Sequence, residues 1–267
     1  MRPFLALDTA TDHVALAVGD LDAPGVVVAA TAFRAPRAAN TAVLLEVERL
    51  LASAGLTPGD LHAVACGRGP GSFTGVRIAV ATAKGLAHGA GVPLVGFGTA
   101  DAIASRWGGH GLLGVVGDAM RGEVYPALFR TNDGPPRRLT EDAVAFPAAV
   151  AAEWAALDEP VTLTGTGLAK HREVFASALG DAAVIADERI WAPDGASLVA
   201  AAWAAGGEGS LSAVAGMEAA DAFAAVHPAL LLPVYTRLSD AEEAERRAAV
   251  GAPAVPGTGV AGPEGPR

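Results

Sequence analysis

The chain has 267 residues and a formal net charge of −10, which argues against a protein that grips nucleic acid alone, because such proteins neutralise phosphates with a basic face. Its single cysteine, Cys66, excludes a disulfide framework and a cysteine-based zinc site within the chain. The early carboxylate of Asp8 interrupts any signal-peptide core, and no uncharged apolar run approaches the roughly 18 residues of a membrane span, so we expect a soluble cytoplasmic protein without membrane contact.

The first 54 residues predict three strands and a helix. Apolar runs at residues 4–7, 14–18 and 26–33 are separated by polar turns, which is typical of strands. Asp8 then lies at the tip of the first strand, where it could hold a Mg²⁺-bound phosphate or accept hydrogen bonds from its own turn. Apolar residues at helical spacing over residues 40–54 predict an amphipathic helix.

Residues 66–86 form the most distinctive segment of the chain. A short apolar run at residues 61–65 precedes this segment, which consists of a turn with three glycines and a long alanine-rich stretch. The pattern predicts a strand, a tight turn and a helix that Ser72 or Thr74 could cap. Such a turn could hold an anion at the helix N-terminus, and it could equally be a plain connection that binds nothing. For the anion-binding alternative, the predicted nucleotide contacts are Asp8, Thr9, Gly71, Ser72 and Thr74.

The same segment fails three enzyme fingerprints. A P-loop needs a lysine directly after its second glycine, but Val76 follows Gly75. A dinucleotide fingerprint needs a third glycine where Ser72 stands, and a nucleophile elbow needs glycines where Pro70 and Thr74 stand. No two of the six histidines are spaced to share a helical face as metal ligands, so we expect no metal site and assign no catalytic residue.

The helix after the turn carries two further patterns. Small residues recur at every fourth position and leave one flank nearly bare, which permits close approach of another element of this chain or of a partner. These small residues are Gly75, Ala79, Ala83 and Ala87. Arg77 and Lys84 are seven residues apart and share a face, which indicates either a solvated edge or a partner contact.

The pattern restarts after Gly108 and Gly109. Residues 112–117 predict a strand that ends at Asp118, and residues 123–129 predict the returning strand, so the strand, aspartate and hairpin of the N-terminus recur. We therefore expect two related lobes, 1–107 and 108–237, followed by a Gly/Pro-rich tail, 238–267, with too little apolar content to order. Further runs predict strands at 94–97, 161–164 and 183–186 and helices at 101–107, 148–157, 168–179 and 197–205.

Four motifs together resemble a known family. They are Leu7-Asp-Thr-Ala-Thr11, Gly69-Pro-Gly-Ser-Phe-Thr-Gly-Val-Arg77, Asp118-Ala119 with Gly122-Glu-Val-Tyr125, and Pro233-Val-Tyr-Thr-Arg237. In matching order over residues 1–237 they resemble the TsaB family, formerly YeaZ, the bacterial partner subunits in making threonylcarbamoyladenosine on tRNA.

The resemblance implies an α/β protein of the actin/Hsp70/sugar-kinase-like (ASKHA) fold, with two related lobes that each hold a mixed sheet flanked by helices. It also implies a non-catalytic subunit without a cofactor. Such a subunit activates the catalytic subunit TsaD through its first lobe, recruits the ATPase TsaE, forms homodimers when alone and meets tRNA only through the complex. The residues expected at the partner interface are Gly75, Val76, Arg77, Ala79, Ala83 and Lys84.

Residues 39–54 carry two details that bear on this resemblance. The catalytic relative has a histidine pair where residues 40–54 have no histidine, which argues against this chain being the transferase. Many relatives have a His-Ser pair where this chain has Ala39-Asn40-Thr41, so the contact made by that histidine lacks its residue here. The alternative function is an ATPase or phosphotransferase of the same fold that uses Asp8 and the Gly-rich turn. The histidine spacing disfavours a metallopeptidase.

Overall fold

The computed structural model describes residues 1–35, 39–180, 183–205, 211–218, 221–222 and 226–236. Met1–Thr236 groups as one compact unit. The predicted tail, 238–267, and Arg237 of the last motif lie outside the described residues. Among the described residues, no helix is both long and apolar enough to cross a membrane.

The first part of the chain builds a five-stranded sheet around its first strand. In chain order the strands are β1 (Pro3–Asp8), β2 (His13–Asp20), β3 (Ala23–Arg34), β4 (Ala63–Gly67) and β5 (Leu94–Phe97). Their spatial order is β3-β2-β1-β4-β5, with antiparallel pairing among β1, β2 and β3 and parallel pairing from β1 through β4 to β5. All six residues of β1 are buried, as expected of a strand that is covered on both faces.

A second five-stranded sheet repeats this design. Its strands are β6 (Gly111–Asp118), β7 (Val124–Thr131), β8 (Arg137–Arg138), β9 (Val161–Thr164) and β10 (Ala183–Ile185). The spatial order β8-β7-β6-β9-β10 again puts the first strand in the centre, with its hairpin on one side and two parallel strands on the other. The predicted duplication of a strand, an aspartate and a hairpin is therefore confirmed at the level of sheet topology.

Helices lie between and after the strands. The α-helices of the described residues are α1 (Ala39–Ser53), α2 (Phe73–Ala90), α3 (Thr99–Ala104), α4 (Pro147–Ala155), α5 (Leu168–Leu179), α6 (Gly195–Ala204) and α7 (Leu211–Ala215). Short 3-10 turns occur at Pro58–Asp60, Glu188–Ile190 and Pro228–Leu230. With the two related mixed sheets, these flanking helices confirm the predicted α/β fold of the ASKHA type.

Helices cover both faces of the first sheet. Leu5 and Leu7 of β1 point into a core shared with α1 and α2, while Phe4 and Ala6 point into a core shared with α6. This division follows from the alternation of side chains along a strand. On the second sheet, α4 and α5 supply Trp154 and several other apolar side chains of a third core.

The last described helices return to the first sheet. Helix α6 packs on β1, β2 and β3, and Gly195 at its start lies so close to Ala30 that an added Cβ would come within 2.2 Å of the Ala30 Cβ. The division into lobes 1–107 and 108–237 stays a prediction, and any such division has to accommodate this return of residues 195–204.

Several elements begin or end one to three residues from the predicted positions, and two of these differences have a visible cause. The strand expected over residues 61–65 corresponds to β4, which starts two residues later. It starts later because Leu61 is the C-cap of the 3-10 turn Pro58–Asp60. The helix expected over residues 101–107 is α3, which starts earlier because Gly98 is its N-cap.

Candidate functional site

The tip of the first hairpin is a buried carboxylate. Asp8 is 1% exposed. Its Oδ1 accepts a hydrogen bond from the Ala10 backbone N (2.7 Å), and its Oδ2 accepts one from the Thr99 hydroxyl (2.7 Å). Burial raises the pKa of Asp8 from its ordinary value of 3.8 to about 6, although the hydrogen bonds from Thr99 and Ala10 oppose this shift. Both carboxylate oxygens are thus engaged inside the chain.

The Gly-rich turn packs directly on this hairpin tip, and its glycines permit the close approach. A Cβ added at Gly67 would lie 1.9 Å from Asp8 Oδ2, and one added at Gly75 would lie 2.0 Å from the Thr9 carbonyl oxygen. The Thr9 hydroxyl donates to the Gly75 carbonyl oxygen (2.6 Å). The backbone of the turn is therefore fitted to the hairpin at van der Waals distance, which only residues without a side chain allow.

An amide that could have met an anion is used by the chain itself. The Ser72 backbone N donates to the Ala10 carbonyl oxygen (2.7 Å). The Ser72 side chain is the N-cap of α2 and accepts from the Gly75 backbone N. Of the predicted nucleotide contacts, Asp8 and Thr9 are buried, Gly71 is half-buried, and Ser72 and Thr74 are exposed. The structure brings these residues together around the turn, and nucleotide contact by them stays a prediction.

The small-residue flank of α2 lies inside this chain. Gly75, Ala79, Ala83 and Ala87 are all buried, and the three alanines belong to the core that α2 shares with α1 and the first sheet. Val76 lies in the same core. Of the six residues predicted for the partner interface, only two therefore reach the surface, Arg77 and Lys84, while Gly75, Val76, Ala79 and Ala83 serve the fold of this chain.

Side chains on the outside of α1 and α2 were not singled out by the sequence. Leu44 and Leu45 of α1 and Phe73 of α2 are exposed. The signal that could have found the two leucines is the width of the apolar set on α1, because apolar residues at positions 43, 44, 45, 47, 50 and 51 exceed what one buried face needs.

Arg77 is fixed by aromatic neighbours rather than by a carboxylate. Its guanidinium carbon lies 3.7 Å from the centre of the Phe73 ring, and its Nε donates to the Tyr235 hydroxyl oxygen (3.0 Å). Lys84 Nζ donates to the Ala229 carbonyl oxygen (3.2 Å). Both predicted interface cations therefore contact the last described segment of the chain.

The tip of the second hairpin repeats the aspartate in a different setting. Asp118 Oδ1 accepts from the Met120 backbone N (3.0 Å), and Asp118 Oδ2 lies 2.5 Å from Lys170 Nζ. Gly165, which precedes α5, has a positive φ of 110°, and an added Cβ would lie 2.5 Å from the Val116 carbonyl oxygen. A glycine turn thus packs on a hairpin here as well, but the aspartate makes an ion pair at the surface.

The described residues contain no grouping of three or more His, Cys, Asp or Glu side chains that could hold a metal ion. Cys66 is buried, and burial raises the pKa of its thiol well above the ordinary value. A protonated thiol inside the core is a poor nucleophile and a poor metal ligand. The first hairpin tip thus combines the buried carboxyl group of Asp8 with the buried hydroxyls of Thr9 and Thr99.

Comparisons with known proteins agree on one group of relatives. A family model described as "TsaD: tRNA N6-adenosine threonylcarbamoyltransferase" matches residues 34–245. The chain is 39% identical over 132 residues to the "tRNA threonylcarbamoyladenosine biosynthesis protein TsaB" of Escherichia coli. This alignment covers 48% of this chain and 55% of that protein. The chain is 33% identical over 140 residues to the Bacillus subtilis protein of the same name, and this alignment covers 50% of this chain and 59% of that protein. The chain thus spans little more than half the length of these curated relatives.

A solved structure is similar over a longer stretch. "YeaZ from Pseudomonas aeruginosa" superposes with a TM-score of 0.66 at 28% identity and covers 88% of this chain and 100% of the other. The similarity therefore includes the second sheet as well as the first.

Proposed function

Because the chain belongs to the TsaB/YeaZ family, we propose that it takes part in forming threonylcarbamoyladenosine on tRNA, as a non-catalytic partner subunit. The observation that most directly supports a non-catalytic role is the packing at the first hairpin. There the Asp8 carboxylate and the backbone amide of Ser72 both form hydrogen bonds within the chain. The absence of histidine from residues 40–54 supports the same role.

In this proposal the chain activates a TsaD-like catalytic subunit, which it docks through a first lobe formed by residues 1–107. The outer side of α1 and α2 offers a surface of the right kind, because exposed Leu44 and Leu45 lie on a helix next to the one that carries Arg77 and Lys84. Arginine is enriched in protein interfaces, and the buried centre of an interface is more apolar than the rest of the surface. The same surface would serve a homodimer when the chain is alone.

The remaining parts of the proposal concern tRNA and a second partner. The formal charge of −10 is unfavourable for direct tRNA binding, so tRNA would be held through the complex, in the cytoplasm. A TsaE-like ATPase would be recruited by the assembled pair.

Reconstitution tests this proposal. The chain, a TsaD-like protein and the other pathway proteins are mixed with tRNA, and threonylcarbamoyladenosine is measured by mass spectrometry of the digested nucleosides. We expect product only in the full mixture and a reduced yield with Leu44→Glu. Val184→Glu, which alters an exposed apolar residue of β10, is the matched control and should leave the yield unchanged. Product from the chain alone would refute the non-catalytic role.

The alternative is an ATPase or phosphotransferase that uses Asp8. The observation in its favour is the raised pKa of that carboxyl group, about 6, because perturbed carboxyl groups are enriched at catalytic sites. This alternative predicts ATP binding by calorimetry and hydrolysis that Asp8→Asn abolishes. If titration with ATP and Mg²⁺ released or absorbed no heat of binding, this alternative function would be refuted.

A further inference from the structure

The last described segment, residues 226–236, lies along α2 and is called the strap here. Lys84, in the second half of α2, donates to the Ala229 carbonyl oxygen, and Arg77, in the first half, donates to Tyr235. The strap therefore runs antiparallel to α2.

Backbone and side-chain hydrogen bonds hold the strap to the first sheet. The Leu94 backbone N donates to the Val226 carbonyl oxygen (3.1 Å), and the Val234 backbone N donates to the Arg68 carbonyl oxygen (2.9 Å). Arg68 Nε also donates to the Leu232 carbonyl oxygen (2.8 Å). These contacts fix which side chains of the strap face outward.

The outward side chains form an apolar strip. Leu231 points inward, because a Cβ added at Gly96 would lie 2.5 Å from Leu231 Cδ1. Its neighbours Leu230 and Leu232 are 71% and 63% exposed. The strip continues with Tyr235, 50% exposed, and with Phe73, 55% exposed, whose ring centroid lies 5.5 Å from that of Tyr235. Large apolar side chains exposed in a row mark interaction surfaces rather than ordinary solvent-facing chain.

Three cations border the strip, while Glu141 and Asp142 line a pocket with Val234 and Thr236 at the C-terminal end of the strap. Arg68, Arg77 and Lys84 all contact the strap, and none of them makes a salt bridge with a carboxylate of the described residues. Neither α2 nor the strap contains an aspartate or glutamate. In a protein with a formal charge of −10, three cations that have no carboxylate partner within the described part of the chain favour a negatively charged ligand.

The side-chain composition decides between two kinds of anionic partner. A single-stranded nucleic acid stacks its bases on aromatic side chains, and Phe73 and Tyr235 are of that kind, but the other two exposed side chains of the strip are leucines. Leucine contacts aliphatic and aromatic side chains of proteins, so the strip favours a polypeptide.

We propose that the strap surface, formed by Leu230, Leu232, Tyr235 and Phe73 with Arg68, Arg77 and Lys84, binds an acidic segment of a partner protein that carries at least one large apolar side chain. The apolar side chain lies against Leu232 and Tyr235, and the carboxylates face Arg77 and Lys84. It shares Arg77 and Lys84 with the docking surface proposed above, so for these two side chains it rests on the proposed function, and it adds Arg68 and the apolar strip to that surface.

A displayed library of random peptides, sorted on the immobilised full-length chain, tests the proposal. We expect the enriched peptides to be rich in aspartate and glutamate and to contain leucine, phenylalanine or tryptophan. One enriched peptide, made with a fluorescent label, is then titrated by anisotropy. Leu232→Ser should weaken its binding by about tenfold, which corresponds to about 1.4 kcal/mol. Lys84→Glu should weaken it further and reduce the salt dependence of binding, because only Arg68 and Arg77 then remain to attract the carboxylates.

Val184→Ser, on an exposed residue of the second sheet, is the matched control and should bind as the unaltered chain does. Enriched peptides without an acidic bias, or equal affinity of the Leu232→Ser chain, would overturn the proposal. Tighter binding of a labelled uridine oligonucleotide than of the peptide would assign the surface to RNA and overturn it as well. If replacing the acidic residues at positions 240, 242, 243 and 245 by serine strengthened peptide binding about tenfold, the occupant would be the chain's own segment and the partner would be refuted. These outcomes leave the tRNA reconstitution unaffected, so the two proposals fail separately.

Discussion

The two hairpin tips have the same topology and opposite chemistry. Asp8 ends β1 and is buried, with both oxygens hydrogen-bonded to neutral donors. Asp118 ends β6, has a side chain 22% exposed and makes an ion pair with Lys170. A duplicated sheet thus holds one aspartate as part of its internal framework and the other as a surface charge.

This difference shows how a fold can keep a motif while changing its use. Burial of an ionised carboxylate is costly, and at Asp8 that cost appears as a raised pKa. At Asp118 the partly exposed carboxylate pairs with the Lys170 ammonium group, and ion pairs at the surface contribute little to stability. The first tip is therefore expected to be sensitive to substitution and to pH, and the second is expected to tolerate change.

The largest expected effect on stability comes from adding a side chain where the glycine turn packs against the first hairpin tip. Gly75→Val should lower the free energy of unfolding by more than about 3 kcal/mol, because the added side chain would meet the Thr9 carbonyl oxygen, which is backbone and cannot move aside. Urea unfolding followed by circular dichroism measures this.

Gly85→Ala on the same helix is the matched control. Nothing lies within 4 Å of a Cβ added there, so alanine should raise the free energy of unfolding by about 0.5–1 kcal/mol through helix propensity. If valine at position 75 were tolerated as well as alanine at position 85, the close contact of turn and hairpin would be wrong.

The next effect concerns the ionisation of Asp8. Its pKa is raised in the folded chain to about 6 from an ordinary value of 3.8. The folded state therefore holds this proton more tightly than the unfolded state, and stability is lost as the pH rises through that interval. Each pKa unit is worth about 1.4 kcal/mol, so ionisation costs about 3 kcal/mol at about pH 8.

Asp8→Asn removes that cost. The amide oxygen can still accept from Ala10, and the amide nitrogen can donate to the Thr99 hydroxyl. We expect the variant to gain about 2–3 kcal/mol in the free energy of unfolding at about pH 8 and nothing at about pH 3.5, where the unaltered aspartic acid is largely protonated in both states. Unfolding curves at both pH values measure the difference. A gain that is equal at the two pH values would contradict the assignment to ionisation.

A smaller loss is expected when the hydroxyl donor to Asp8 is removed. Thr99→Val keeps the shape of a buried side chain and removes its hydrogen bond to Asp8 Oδ2. It should lower the free energy of unfolding by about 1–2 kcal/mol at about pH 8. It should also raise the pKa of Asp8 further, since that hydrogen bond opposes the effect of burial. In an Asp8→Asn background the loss should shrink, and an undiminished loss would show that Thr99 acts elsewhere.

Much of this fold could be predicted from sequence periodicity. The apolar runs correctly predicted β1, β2, β6 and β7, and the repeated aspartate predicted the duplication. Both predictions were possible because each signal lies within a short stretch of chain. Strand β8 was missed, since the two residues Arg137 and Arg138 carry no periodicity. The packing of α6 on the first sheet could not be predicted either, because an apolar helix face does not identify the sheet on which the helix packs.

The site was harder to predict because its meaning depends on distances between remote residues. From the sequence, the glycine turn could hold an anion or bind nothing, and Asp8 could serve a phosphate or its own turn. What the sequence lacks is the approach of Gly67 and Gly75 to residues 8 and 9 and the hydrogen bond from the remote Thr99, which together with Ala10 engages the Asp8 carboxylate. The small flank of α2 was ambiguous for the same reason, since a bare helix face fits this chain's core as well as a partner.

The smallest effect is expected at the second tip, where Lys170→Met removes the partner of Asp118. Because the ion pair is at the surface and Asp118 keeps its hydrogen bond from the Met120 backbone N, the free energy of unfolding should fall by no more than roughly 0.5 kcal/mol. Sodium chloride at about 1 M should erase even that difference through screening. The same urea series at low and high salt, with Thr99→Val beside it, compares the two tips directly. A loss at Lys170→Met as large as that at Thr99→Val, and insensitive to salt, would mean that the second aspartate is as much a part of the framework as the first.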